Sequence, residues 1–385
     1  MDDVTPAQSW TPRFAERVQG LQASGIRKLF ERGLRQPDVV DLSIGQADFP
    51  VPDAVKDATV AAINGDCGRY STTEGFPELI DATLAHLRTN FHLPADEQVM
   101  MTVGASGALT LALLTLAGPG DEVLIPDPHF VIFPNLARIV GATPVSYDLY
   151  PDFKLRPERI EAAITPRTRV LILNSPSNPT GACATEDQLH QIAAICRRHN
   201  ITVISDELYD VFVYEGQHAS IKKHLGPEAL LIGGVSKSFA MAGWRLGWIA
   251  GAPALIDRIR TLQQFTMTCP PTLVQMGVLP AFDLDMTPQV DAYRRKRNLV
   301  HSRLTAMGYS ATLPQGAFYI FPRVPWGTDL TFSEAALTEG LLIVPGSAFS
   351  SRSTHFRLCF APPEHELERG LNILETLINR EQTAP

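Results

Sequence analysis

Long apolar runs are missing from this chain. None approaches the roughly 18 to 20 residues that a membrane-spanning helix needs, although 45% of the residues are hydrophobic. The opening residues, M-D-D-V-T-P-A-Q-S-W, hold no basic segment followed by an apolar core, so no export signal is read and a cytoplasmic location is expected. Positive charge is in deficit, with 33 Lys and Arg against 41 Asp and Glu and a formal charge of −8. Such a balance argues against nucleic acid or an anionic membrane as partner. Cysteine is scarce too: Cys67, Cys183, Cys196, Cys269 and Cys359 form no C-x-x-C pair and have no His at metal spacing. They are read as reduced and mostly buried, and neither H-E-x-x-H nor another zinc pattern occurs, so no metal is expected. No internal repeat or low-complexity segment is evident. The 385 residues exceed one ordinary core, which predicts a large domain with a smaller companion.

What the chain does have is V-S-K-S-F-A-M-A-G-W-R-L-G-W at 235–248. Lys237 lies between Ser236 and Ser238, with an apolar segment at 229–235 before it and Phe239, Met241, Trp244, Leu246 and Trp248 after it. Such neighbours disfavour the charged ammonium. A nucleophilic lysine needs that environment, because at a pKa near 10.4 only roughly four in ten thousand would be free amine at pH 7. Ser236, Ser238 and Arg245 offer donors suited to a phosphate. An amine nucleophile beside a phosphate cradle points to pyridoxal phosphate held as a Schiff base. The second anchor is I-T-V-I-S-D-E-L-Y-D at 201–210, a central parallel strand with Asp206 at its end. A protonated pyridine nitrogen is the cation such an aspartate would need, and Tyr209 is placed to bond the ring hydroxyl.

Periodicity predicts the frame. From Val99 to Trp248 apolar strands alternate with helices, an α/β pattern with a mainly parallel sheet flanked by helices. G-A-S-G at 104–107 opens a helix with small residues that let N–H groups approach an anion. S-N-P-T-G at 177–181 closes a strand where ligands bind in such sheets, and the Asn178 amide is suited to a ring oxygen. Several other features are ambiguous by themselves. D-L-S-I-G-Q-A-D-F-P at 41–50 reads as a strand-to-turn junction, Tyr70 as a loop tyrosine before a helix near Pro77, Phe130 as a core ring at a helix start, and Arg357 as an edge-strand arginine. After Trp248 the pattern gives one more strand, a helix from about Pro253 to Phe265 and the T-C-P-P segment at 268–271, and then the alternation stops. A basic helix at 287–307 is read as a solvated face or linker, and hairpin-like strands around G-A-F-Y-I-F-P begin a second, smaller α+β domain. Helical character is expected from Phe14 to Leu34. The expected division is 46–285 for the large domain, with 1–45 and 286–385 forming the small one.

S-K-S-F-A-M-A-G-W-R-L-G resembles the lysine motif of the class I/II aminotransferases, fold type I pyridoxal phosphate enzymes, and N-S-P-S-N-P-T-G resembles a second motif of that family. The resemblance runs in order from about Ser24 to the C-terminal helix. It implies that Lys237 carries the cofactor, that Ala105, Ser106, Ser236 and Arg245 hold its phosphate, and that Phe130, Asn178, Asp206 and Tyr209 hold its ring. It also implies that Gly45, Asn178 and Arg357 receive the substrate carboxylate. Tyr70 is expected to reach the partner's cofactor phosphate in a homodimer. A-S-G-I-R-K-L-F and T-C-P look most like the aspartate and aromatic amino acid aminotransferases, which implies amino acid and 2-oxoacid substrates. Two departures are visible: Ile80 stands where the family often has arginine, and Ser106 where some aspartate-selective relatives have lysine. Arg27 and Lys28 are then the cationic candidates for a distal carboxylate. Alternatives are a lyase or decarboxylase of the same fold, or a cofactor-sensing regulator, which would need a DNA-binding module that has no room before Gly45.

Overall fold

Runs of valine, isoleucine and leucine build a sheet buried on both faces, the pattern expected when helices cover each side. The structure, a computed structural model, describes residues 10–19, 21, 33, 36, 38–65 and 67–380. Its strands are β1 (Val40–Asp41), β2 (Gln98–Thr102), β3 (Glu122–Asp127), β4 (Thr143–Asp148), β5 (Thr168–Asn174), β6 (Thr202–Asp206), β7 (Ala229–Gly234), β8 (Gly247–Gly251), β9 (Tyr319–Ile320), β10 (Leu341–Leu342), β11 (Val344–Pro345) and β12 (Phe356–Cys359). Seven of them form the main sheet in the order β2-β8-β7-β6-β5-β3-β4. Neighbours from β7 to β4 are parallel, while β8 runs antiparallel to both β2 and β7. The register places Asn174 opposite Asp206 and Asp206 opposite Ile232. Three strand ends therefore meet on one side of the sheet, where open α/β sheets bind ligands.

The helix Gly104–Leu116 is nearly all apolar, and Ala108, Leu109, Ala112 and Leu113 are buried in a cluster with Ile204, Ile232 and Ile249. This fixes the helix start beside the ends of β6 and β7. The C-terminal third has a different plan. β12 lies at the centre of a three-stranded antiparallel sheet between β11 and β9, and β10 pairs in parallel with β1. Val40 and Leu42 share a core with Leu341, Phe356, Leu358 and Leu371, tying the residues just before Gly45 to this part of the molecule.

Several expectations need correction. β9 pairs with β12, far along the chain, so G-A-F-Y-I-F-P is not part of a hairpin. The charge run of the helix Thr287–Met307 is not simply a solvated face. Lys296 donates to Asp48 and to the Ala361 carbonyl, Arg294 donates to the Tyr214 carbonyl, and Arg297 is buried and donates to the Pro314 carbonyl. Of the cysteines, only Cys196 and Cys359 are buried, while Cys67, Cys183 and Cys269 are partly exposed; all five are free thiols. Within the helix expected over 14–34, the described residues are 14–19, 21 and 33, of which Glu16–Gln19 and Gly33 are helical. Arg27 and Lys28 lie outside the described residues. Among the described residues no group of side chains could hold a metal ion, and no helix is long and apolar enough to cross a membrane.

Candidate active site

The strand ends and the start of the helix Gly104–Leu116 enclose a cavity of about 250 Å³. Gly45, Ala105, Ser106, Phe130, Asn178, Asp206, Tyr209, Ser236, Lys237, Arg245 and Arg357 all line it. Tyr70 does not. It is 83% exposed on the surface, so within one chain it is the candidate left outside the constellation. Ile80 sits partly buried against an apolar cluster, and that departure from the family pattern makes hydrophobic contact.

Lys237 follows β7 in the helical turn Val235–Ser238. Its Nζ donates to the Gly45 carbonyl at 2.6 Å and lies 5.9 Å from the centre of the Tyr209 ring. Burial, reinforced by the charges of Arg357 and Arg245, pulls its pKa down to about 8. Asp206 faces the same cavity from the end of β6 and is only 4% exposed. Burial pushes its pKa up to about 7, although the Leu208 N–H at 3.4 Å favours the ionised form. The two shifts have opposite chemical meaning: the amine is made available as a base, and the carboxyl is left in need of a cation.

The phosphate-suited side is built by backbone economy. Gly104 has φ +66°, and a Cβ there would stand 2.7 Å from an Arg245 Nη2 atom, so glycine lets the guanidinium lie against the helix start. Arg245 itself has φ 59° and donates to the Ala242 carbonyl at 3.0 Å. The helix start at Ala105 and Ser106, with Ser236 and Arg245, thus lines the cavity with donors suited to an anion.

On the other side, Asn174 locks the S-N-P-T-G turn to the sheet. Its Nδ2 donates to the Asp206 carbonyl at 3.1 Å, and its Oδ1 accepts the Asn178 N–H at 2.9 Å. Arg357 then donates to Asn178 Oδ1 at 3.0 Å and to the Ser43 carbonyl at 2.6 Å. Its guanidinium is held between the rings of Tyr319 and Phe349, each 4.6 Å away, and its buried Nε has no partner among the described residues. A buried orphan donor on a fixed fork is suited to a carboxylate. Tyr209 shares a hydroxyl hydrogen bond of 2.8 Å with Tyr319, and Phe130 is partly buried, edge-on to Phe133.

Two polar lining residues, Asn174 and Tyr319, are not among the candidates read from the sequence. Asn174 is the polar end of an apolar strand inside the quoted N-S-P-S-N-P-T-G motif, which was its available signal. Tyr319 had only its place in an aromatic strand, because its partners are distant in sequence.

Pyridoxal phosphate fits these residues on three observations. The buried Asp206 carboxyl makes no ion pair among the described residues, the glycine-cleared corner suits a dianion, and the depressed amine of Lys237 suits attachment to an aldehyde. Fold and cavity together suit an enzyme with a phosphorylated carbonyl cofactor. The model for aminotransferase class I and II matches residues 37–374, and the chain belongs to that family. Its members depend on pyridoxal phosphate, and this chain is an aminotransferase of fold type I. It is 35% identical to the probable N-acetyl-LL-diaminopimelate aminotransferase of Bacillus subtilis over 96% of both chains. It is 34% identical to aromatic-amino-acid aminotransferase 2 of Thermococcus litoralis, covering 96% of this chain and 99% of that one. The structure of the aspartate aminotransferase from Thermus thermophilus with maleate superimposes with a TM-score of 0.89, at 32% identity, over 95% of this chain and all of that one.

Proposed function

We propose that the enzyme moves the amino group of aspartate, glutamate or an aromatic L-amino acid to a 2-oxoacid such as 2-oxoglutarate, in two half-reactions through the pyridoxamine form of the cofactor. The observation that carries this reading is the pairing of a lysine amine lowered to about 8 with a carboxyl raised to about 7 on one cavity. When bound, the cofactor supplies an electron sink for the bond broken at the substrate α-carbon.

The residues divide the remaining work. Lys237 holds the cofactor, then takes the proton from the substrate α-carbon and returns one to the cofactor carbon. Asp206 keeps a proton on the ring nitrogen. Tyr209 and Asn178 hold the ring oxygen, Phe130 covers the ring face, and Ala105, Ser106, Ser236 and Arg245 hold the phosphate. Gly45, packed against the Tyr319 hydroxyl, borders the substrate carboxylate, which Arg357 grips with two parallel N–H donors beside Asn178, orienting the α-carbon.

We further propose a homodimer in which Tyr70 completes the partner's cavity. Val60 and Ile63 on the helix Asp53–Asn64, Met276 on the adjoining helix and Phe265 are exposed apolar residues that support an interface. Residues 46–285 form the large domain and 1–45 with 286–385 the small one, supported by the β1–β10 pairing. Five free thiols support a reducing, cytoplasmic location.

The test is a spectroscopic panel following conversion of the cofactor to its pyridoxamine form with aspartate, glutamate, tyrosine, phenylalanine and alanine. Aspartate and glutamate are expected to react well, with at least one aromatic amino acid within about a hundredfold, a gap of roughly 2.7 kcal/mol. Reaction with alanine alone, or with none of the five, overturns the substrate assignment. Turnover that needs no 2-oxoacid marks a lyase or decarboxylase instead.

A further inference from the structure

Tyr319 touches three parts of the cavity that have separate tasks. β9 pairs with β12 so that Tyr319 lies opposite Cys359, and Arg357, two residues earlier on β12, projects from the same face. The two side chains are thus diagonal cross-strand neighbours, within reach of an aromatic ring. The Arg357 guanidinium accordingly lies 4.6 Å from the Tyr319 ring centre, with Phe349 at the same distance. At its other end, the Tyr319 hydroxyl meets the Tyr209 hydroxyl at 2.8 Å. The same hydroxyl fills the space beside Gly45, where a Cβ would stand 1.8 Å from it, and the Gly45 carbonyl accepts from Lys237. Tyr319 is only 1% exposed, so these contacts define its orientation.

A phenol has one proton to donate and lone pairs to accept. Burial keeps both phenols protonated. If Tyr209 gives its proton to the cofactor ring oxygen, the hydrogen bond between the phenols must be donated by Tyr319. We propose that Tyr319 is a positioning residue that couples the substrate-carboxylate clamp to the cofactor: its ring fixes the plane of Arg357, and its hydroxyl turns the Tyr209 proton toward the cofactor ring oxygen. This rests on the roles assigned above to Tyr209, Lys237 and Arg357. Hydrogen bonds in a chain polarise one another, so donation by Tyr319 strengthens donation by Tyr209.

The ring and the hydroxyl are separable by substitution. The experiment titrates the visible absorbance of the lysine-bound cofactor against pH and measures maleate affinity from the same spectrum. Tyr319→Phe keeps the ring, so maleate affinity should stay within about threefold. The absorbance midpoint should rise by a few tenths of a pH unit, because a ring oxygen that receives a weaker hydrogen bond favours the protonated form. Tyr319→Leu removes the ring as well and should weaken maleate about tenfold or more. In a Tyr209→Phe background the midpoint shift caused by Tyr319→Phe should vanish, since the hydroxyl acts through Tyr209.

An unchanged midpoint in Tyr319→Phe overturns the proposal, as does the same shift with or without Tyr209. Equal maleate binding by Tyr319→Leu and wild type overturns the role of the ring. If Lys237→Ala keeps the pH-dependent band, the cofactor-site reading fails and this inference falls with it. A wild-type band that is lost in Lys237→Ala but unmoved in Tyr319→Phe sinks the inference alone.

Discussion

One methyl group at Gly45 should be costly. A Cβ at this position would lie 1.8 Å from the Tyr319 hydroxyl oxygen, 2.7 Å from Cζ and 2.8 Å from Cε1, against the ~3.5 to 4.0 Å of an ordinary carbon contact. The phenol cannot retreat freely, because its hydroxyl is bonded to Tyr209 and its ring lies on Arg357. Relief must come from the main chain near Gly45, whose carbonyl receives the Lys237 amine. Overpacking of this kind costs about 1 to 3 kcal/mol. Denaturant unfolding at fixed protein concentration should therefore show Gly45→Ala destabilised by that amount. Truncating the obstacle should cancel the cost: in a Tyr319→Ala background the Gly45→Ala penalty should fall below about 0.5 kcal/mol, a coupling of about 0.5 to 3 kcal/mol in the cycle. A penalty of equal size in both backgrounds would refute the steric reasoning, and a negligible penalty in the wild-type background would refute it too.

Three other outcomes follow from the same geometry. In protein stripped of cofactor, the rate of pyridoxal phosphate attachment, followed by its absorbance, should rise with pH and level off above about 8, because only the unprotonated Lys237 amine attacks. The drop from 10.5 to about 8 raises the free-amine fraction at pH 7 about 300-fold, and a midpoint near 10 contradicts it. Asp206 has a folded-state pKa of about 7, above its ordinary 3.8, so the unfolded chain gives up its proton first. Its contribution should therefore lower the stability of the cofactor-free protein as pH rises from about 4 to 7, and Asp206→Asn should remove that slope and be more stable at pH 8, by on the order of a few kcal/mol; equal pH profiles count against the burial argument. Mixing inactive Tyr70→Phe and Lys237→Ala subunits should yield activity above the better parent, since one site of each mixed dimer then has both intact residues, and no gain sinks the shared-site proposal.

Asp206 and Lys237 were legible because their signals are local. A continuous apolar strand followed by a polar residue marks a strand end in a parallel sheet, and the hydrophobic neighbours of Lys237 foretell its depressed basicity. Arg357 was legible only through the family motif. Its strand is central because β9 and β11 come from elsewhere in the chain, and nothing in H-F-R-L-C-F-A announces them. Tyr319 was missed for the same reason: two-residue strands are too short for alternation to show which way a side chain faces. The basic helix Thr287–Met307 misled because charge spacing cannot reveal partners such as Asp48 and the Ala361 carbonyl, which long-range folding brings to Lys296. Gly45 combined both kinds of information. Its place after a short apolar strand is local, but the reason for glycine lies in a phenol near the other end of the chain.

The central claim is that Lys237 carries the cofactor. Reducing the cofactor-loaded enzyme with borohydride makes the lysine linkage permanent, and digestion followed by mass spectrometry locates it. The account predicts a pyridoxyl group on the peptide containing Lys237 and no such label in Lys237→Ala. A label on another lysine, the deeply buried Lys222 for example, or an unlabelled Lys237 in fully loaded protein, would contradict it.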